Sequence, residues 1–176
     1  SQNQQIKPKQ MKKFKIIIVM LMIPLFGISF SAKAEKYALG PKVNKVVAHR
    51  VLKKTAYVIL IAHKKVKEGK KYTGDLAKAI AHQKYARKLY KEGKYLKAIH
   101  HSRRARFLAV KAIVANGGTE TEDMKFSKED ETVFSANPSP ADDTLDAEMG
   151  QKMKGEPMED QKVVNTDPDV DIPSTD

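Results

Sequence analysis

Between residues 43 and 67 the apolar positions recur with the period of an α-helix. At about 100° per residue, Val47, Ala48, Val51, Leu52, Thr55, Val58, Ile59, Ala62 and Val66 fall on one stripe. Arg50, Lys53, Lys54, Lys64 and Glu68 fall opposite. The polar run Glu68–Asp75, with two glycines, ends this helix, and Thr73 or Asp75 can cap the next. A second helix over 75–91 sets Leu76, Ala79, Ile80, Ala86, Leu89 and Tyr90 to one side and Lys84, Lys88 and Lys91 to the other, and Gly93 ends it. A third, over 95–115, carries a stripe of small residues, Ala98, Ser102, Ala105, Ala109 and Ala112. It is flanked by a larger apolar stripe, Leu96, Ile99, Phe107, Val110 and Val114, and Asn116-Gly117-Gly118 stops it.

Long helices joined by short turns pack as antiparallel neighbours, so the pattern predicts an all-α fold: a three-helix antiparallel bundle, or helical hairpin array, of about 75 residues. Leu52, Ile59, Ile80 and Ile99 are its expected interior. One core of that size contributes only a few kcal/mol, which leaves room for apolar surface covered by a partner.

From Thr119 the character changes. Five prolines, 17 acidic residues and no sustained period predict that 119–176 is a disordered acidic tail, unable to bury enough surface to offset its ordering entropy.

Two stretches repeat at an interval of 19. Gly74, Lys78, Ala79, Ile80, His82 and Ala86 align with Gly93, Lys97, Ala98, Ile99, His101 and Ala105, one turn plus one helix per unit. The stretch from Ala86 through Gly93, Tyr95, Ala98 and Ile99 to Ala105 resembles a tetratricopeptide hairpin, and the likeness spans about residues 76–110. It departs from that family at His82, where a large apolar residue is usual, and at Val110, where the motif closes with proline. The resemblance implies helix-hairpin packing and a protein-interaction scaffold. A solenoid needs about three units, so packing of that kind and not a repeat array is expected.

The segment before the helices reads as an address. Lys12, Lys13 and Lys15, the apolar run Ile16–Phe30 and Ala32-Lys33-Ala34 are the three parts of a signal peptide spanning 11–34, with cleavage expected before Glu35. The run is short of the ~20 residues a spanning helix needs, and Pro24 interrupts it. Residues 1–10 read as an upstream extension. The chain has no cysteine, which excludes disulfides, thiolate metal ligands and a lipid-anchored cysteine. Together these point to an exported bacterial protein of the periplasm or the medium.

Charge divides the chain. Residues 35–118 hold 22 Lys+Arg against 4 Asp+Glu, and residues 119–176 hold 5 against 17. A basic excess of that size exceeds what solubility needs and strains a compact bundle by self-repulsion. It suits an anionic envelope surface such as lipopolysaccharide, acidic polysaccharide or membrane headgroups, or a protein partner. Lys84, Arg87, Lys88, Lys91, Arg103, Arg104 and Arg106 are the expected polyanion-binding residues, with Phe107 beside them. Nucleic acid is not the expected partner of an exported protein, while peripheral membrane contact and self-association are compatible with the pattern. The tail's carboxylates are positioned to occupy the basic face when no partner does.

All five histidines lie in the helical region, and His63, His82 and His101 are spaced at 19 and 19. Folded-back helices would bring these three to similar heights, the basis for an alternative reading as a periplasmic histidine-dependent metal-binding or sensing protein. Boundary histidines are the commoner explanation, and no cofactor is expected. Asp167, Asp169 and Asp171 alternate as a calcium loop begins, but Ile172 stands where that loop requires glycine. No nucleophile–base–acid arrangement or phosphate-cradling loop is present, so a non-enzymatic binding or scaffold protein is expected.

Overall fold

The computed structural model describes residues 43–172; the expected signal peptide, its cleavage site and the upstream extension lie outside them. Among the described residues the fold is all-α, without a strand. Helices α1 (Lys45–Gly69), α2 (Asp75–Lys91) and α3 (Tyr95–Ala115) match the three expected from periodicity and pack against one another as a bundle.

Each boundary has a local cause. Asn44 caps α1, its side chain accepting from the Val47 amide at 3.0 Å. Gly69 is glycine because a Cβ there would stand 2.5 Å from the Asn116 side-chain oxygen at the end of α3. Lys70 then takes the left-handed conformation, φ 54°, that closes the helix. Gly74, not Thr73 or Asp75, occupies the N-cap position of α2, with φ 83°. Thr73 still accepts from the Asp75 amide at 3.3 Å.

The core is split by a polar layer. On one side lie Val58, Ile59, Ala62, Val66, Leu76, Ile80, Leu108 and Ile113; on the other, Val51, Leu52, Tyr85, Leu89, Tyr90 and Ile99. Between them the Ser102 hydroxyl lies 2.9 Å from the Thr55 hydroxyl and 3.1 Å from the Gln83 carbonyl oxygen, with one proton to donate, and the Gln83 amide donates to Leu52 O at 2.8 Å. One residue from each helix thus satisfies the others where water is excluded, which ties all three helices to one register. The four expected interior residues, Leu52, Ile59, Ile80 and Ile99, are buried, as is the whole small-residue stripe of α3. Of the larger α3 stripe Ile99 alone is fully buried, while Leu96, Phe107 and Val114 are exposed.

Residues 119–172 are ordered, which corrects the expectation of a disordered tail there; 173–176 lie outside the described residues. After a 3₁₀ turn (Glu122–Met124) this acidic segment forms α4 (Lys128–Ala136), α5 (Asp142–Lys152) and α6 (Asp160–Val163). The 3₁₀ turn packs on α1, α5 on α2 and α3, and α6 on α2. Its few apolar residues are placed where they count: Val133, Phe134 and Met149 complete one half of the core, and Met124, Val163, Val164 and Val170 the other. Residues 119–172 therefore carry enough anchoring surface when the bundle supplies the other wall, although they could not form a core alone. Ser127 and Asp130 form a reciprocal capping box at the start of α4.

Candidate functional site

The seven expected polyanion-binding residues fall at two places, and the acidic segment reaches both. Along α2, Lys84 pairs with Glu156 at 2.9 Å and Arg87 with Asp169 at 3.1 Å. These residues surround a shallow pocket of about 430 Å³ with Lys88, Lys91 and Glu92. Lys88 and Lys91 are exposed.

On α3 the arginines open onto a second cleft, of about 290 Å³, lined also by His100, Phe107, Phe126, Glu131 and Asp142. Arg104 grips Asp146 through Nε and Nη2, both at 2.8 Å, and Asp142 through Nη1 at 2.6 Å. Such forked bonding to a carboxylate is the strongest of the ion-pair geometries. The hydrogen bond to Asp146 holds the Arg104 guanidinium above its ordinary pKa and the Asp146 carboxyl below its own. Arg106 donates to Met124 O at 2.8 Å and pairs with Glu120. Arg103 is different. It donates to the Ser139 hydroxyl at 3.0 Å and lies 4.1 Å above the Phe134 ring, and desolvation lowers its pKa. Arg104 and Arg106 likewise lie over the Phe107 and Phe126 rings, at 5.6 and 4.8 Å, within cation–π range.

The histidine trio does not assemble. His82 and His101 meet in the polar layer, but His63 bonds the backbone carbonyls of Val163 at 3.2 Å and Thr166 at 3.1 Å. Equal spacing along the sequence put His63 on a part of α1 faced by the acidic segment, which pattern alone could not reveal. Among the described residues no group of three or more His, Asp or Glu is arranged to hold a metal ion.

The remaining pair meets edge to edge through its ring nitrogens. The two Nδ1 atoms are 3.1 Å apart and the ring centroids 5.3 Å, so the nitrogens lie near the line joining the rings. On the far sides, His82 Nε2 is 3.1 Å from Asp146 and His101 Nε2 is 3.7 Å from Glu148. With both rings neutral, His82 donates to Asp146 and accepts from His101, which leaves the His101 Nε2 lone pair buried without a partner. Burial lowers both pKa values, that of His82 to about 4. Glu148, despite its own desolvation, is held below its ordinary pKa by the Tyr85 hydroxyl, which donates to it at 2.9 Å, and by Lys97 and His101.

Two features escaped the sequence reading. Arg50 donates to the buried Asp130 at 2.9 Å. Asp160, also buried, accepts from the Gly74 and Ala77 amides, both at 2.9 Å, and so caps α2 from a helix more than 80 residues away. The Ser127-x-x-Asp130 spacing was a readable signal for the start of α4, but no local signal marks either long-range contact.

No protein-family model matches this chain, and comparison with curated proteins and with solved structures gives no match.

Proposed function

We propose that this chain is an exported, non-enzymatic helical binding protein of the bacterial cell envelope, which takes an anionic envelope component or an acidic protein partner through its basic bundle. The observation that carries the reading is how the basic face treats the chain's own carboxylates. Arg87, Arg104 and Arg106 each hold an acidic side chain from residues 119–172, and each of these pairs leaves its carboxylate partly or largely in water. Carboxylates held so are exchangeable, since exposed pairs contribute only about 0–1 kcal/mol each. An incoming polyanion therefore competes with the acidic segment for the same guanidinium groups. Lysines alone would be a solvated face; arginines aligned on aromatic rings are pre-oriented for anions.

Replacing Glu120, Asp142 and Asp169 by Gln, Asn and Asn tests this reading, because the exposed competitors are neutralised while the buried anchors remain. Heparin affinity of the chain from Glu35 is expected to rise at least tenfold at low salt, and the gain to shrink as salt is added. Unchanged affinity at low salt would contradict it.

A further inference from the structure

The acidic segment neutralises the bundle unevenly, leaving Lys88 and Lys91 on α2 and a denser group of lysines at the end of α1 without a carboxylate. It supplies side-chain carboxylates to Arg50, Lys84, Arg87, Arg104 and Arg106. It supplies none to the last turns of α1 and the turn that follows. Residues 64–78 hold six lysines against Glu68 and Asp75, and both acids are engaged, Glu68 near Lys65 at 3.9 Å and Asp75 with Lys111 at 3.1 Å. Lys64, Lys67, Lys70 and Lys71 are exposed on this stretch without a carboxylate partner.

These charges do not stand alone. Leu60, one turn before Lys64 on the same outer face of α1, is 46% exposed, and Tyr72, directly after Lys71, is 44% exposed. The turn is also fixed in place. The Lys71 amide donates to the Asn116 side chain at 2.9 Å, and Asn116 returns a bond to Lys71 O at 3.1 Å. The last turns of α1, with Lys64 and Lys67, and the fixed turn after it, with Lys70 and Lys71, together present four ammonium groups without a carboxylate between an exposed leucine and an exposed tyrosine, an amphipathic surface. Lysines at a helix C-terminus complement the dipole; here two large exposed side chains, Leu60 and Tyr72, flank them.

We propose that Leu60, Lys64, Lys67, Lys70, Lys71 and Tyr72 form a docking face for an anionic bilayer surface. The lysines meet lipid phosphates, and Tyr72 and Leu60 enter the headgroup boundary, where a tyrosine's apolar body and polar tip both find partners. This deepens the anion-binding reading by naming the partner. It also moves the face from the α2 and α3 residues that hold the segment's carboxylates to the end of α1, where the segment touches His63 through backbone carbonyls but pairs no carboxylate with a lysine.

The test is co-sedimentation of the chain from Glu35, which contains the whole described core, with vesicles of pure phosphatidylcholine or of phosphatidylcholine with phosphatidylglycerol. Binding is expected only with phosphatidylglycerol and should weaken with salt. Joint replacement of Lys64, Lys67, Lys70 and Lys71 by Gln should cut it at least tenfold, while Lys84, Lys88 and Lys91 replaced by Gln should change it less than threefold. Tyr72→Ala should weaken vesicle binding and leave heparin binding unchanged, a split that loss of charge or of folding would not produce. Equal vesicle binding by the four-lysine variant and the unmodified chain overturns the proposal. Heparin binding without vesicle binding overturns it too, yet leaves the wider reading standing; binding to neither removes both.

Discussion

His82 Nδ1 lies 3.1 Å from His101 Nδ1 between α2 and α3, where burial first and the neighbouring imidazole second lower the His82 pKa. Around the pair stand Asp146 and Glu148 from α5, Arg104 and Lys97 from α3, and Tyr85 from α2. Burial depresses the His82 pKa from 6.5 to about 4. The unfolded chain therefore binds more protons than the folded one between those values, and stability falls as pH falls through that window. His82 alone contributes on the order of 3 kcal/mol to this loss. Thermal melts from pH 7 to pH 4 should show a steady decline, and His82→Asn should flatten that slope whatever its stability at neutral pH. An unchanged slope in the variant would place the titrating group elsewhere.

Phe134 and Leu145 test the anchoring of the acidic segment. Phe134 stands edge-on to Phe126 at 4.9 Å beneath Arg103, and Leu145 is buried on α5. Truncation of Phe134 to Ala should cost about 3–5 kcal/mol, and of Leu145 about 2–5 kcal/mol, in denaturant unfolding. Values near zero would return the segment to the solvated tail that its composition suggested. Removing 119–176 altogether should destabilise the bundle, because it strips both halves of the core of side chains.

Asp160 offers a test that hydrophobicity does not confound. Its two carboxylate oxygens satisfy the Gly74 and Ala77 amides at the start of α2, where negative charge also favours the helix dipole. Asp160→Ala strands buried donors and should cost about 1–3 kcal/mol per group, whereas Asp160→Asn, which keeps an acceptor, should cost less. Equal effects of the two substitutions would mean that the amides find water instead.

The bundle was legible because its information is local. Period, turn residues and small-residue stripe coincide over 43–118, and Leu52, Ile59, Ile80 and Ile99 sit where the pattern puts them. Truncating any of the four to Ala should cost about 2–5 kcal/mol in the same unfolding experiment. The acidic segment was not legible for the opposite reason. Its helices are short, α6 spanning only Asp160–Val163, and their apolar residues come in ones and twos that gain meaning only against the bundle. A composition argument treats Val133, Phe134, Leu145 and Met149 as too few to fold, which is true of the segment alone. Among the binding candidates, residue type identified the arginines but not their occupants. Likewise the 19-residue spacing joined His82 to His101 correctly and added His63, whose neighbours Val163 and Thr166 come from 100 and 103 residues downstream.

The central claim is that the acidic segment is a folded part of the protein, held on the basic bundle by apolar anchors and ion pairs. Native-state hydrogen exchange on the chain from Glu35 measures this most directly, at the amides of Phe134 in α4 and Met149 in α5. Protection of at least a hundredfold over a random coil, diminished in the Phe134→Ala and Leu145→Ala variants, is the expected result. Exchange at random-coil rates throughout 119–172, beside protected α1 to α3, would contradict it.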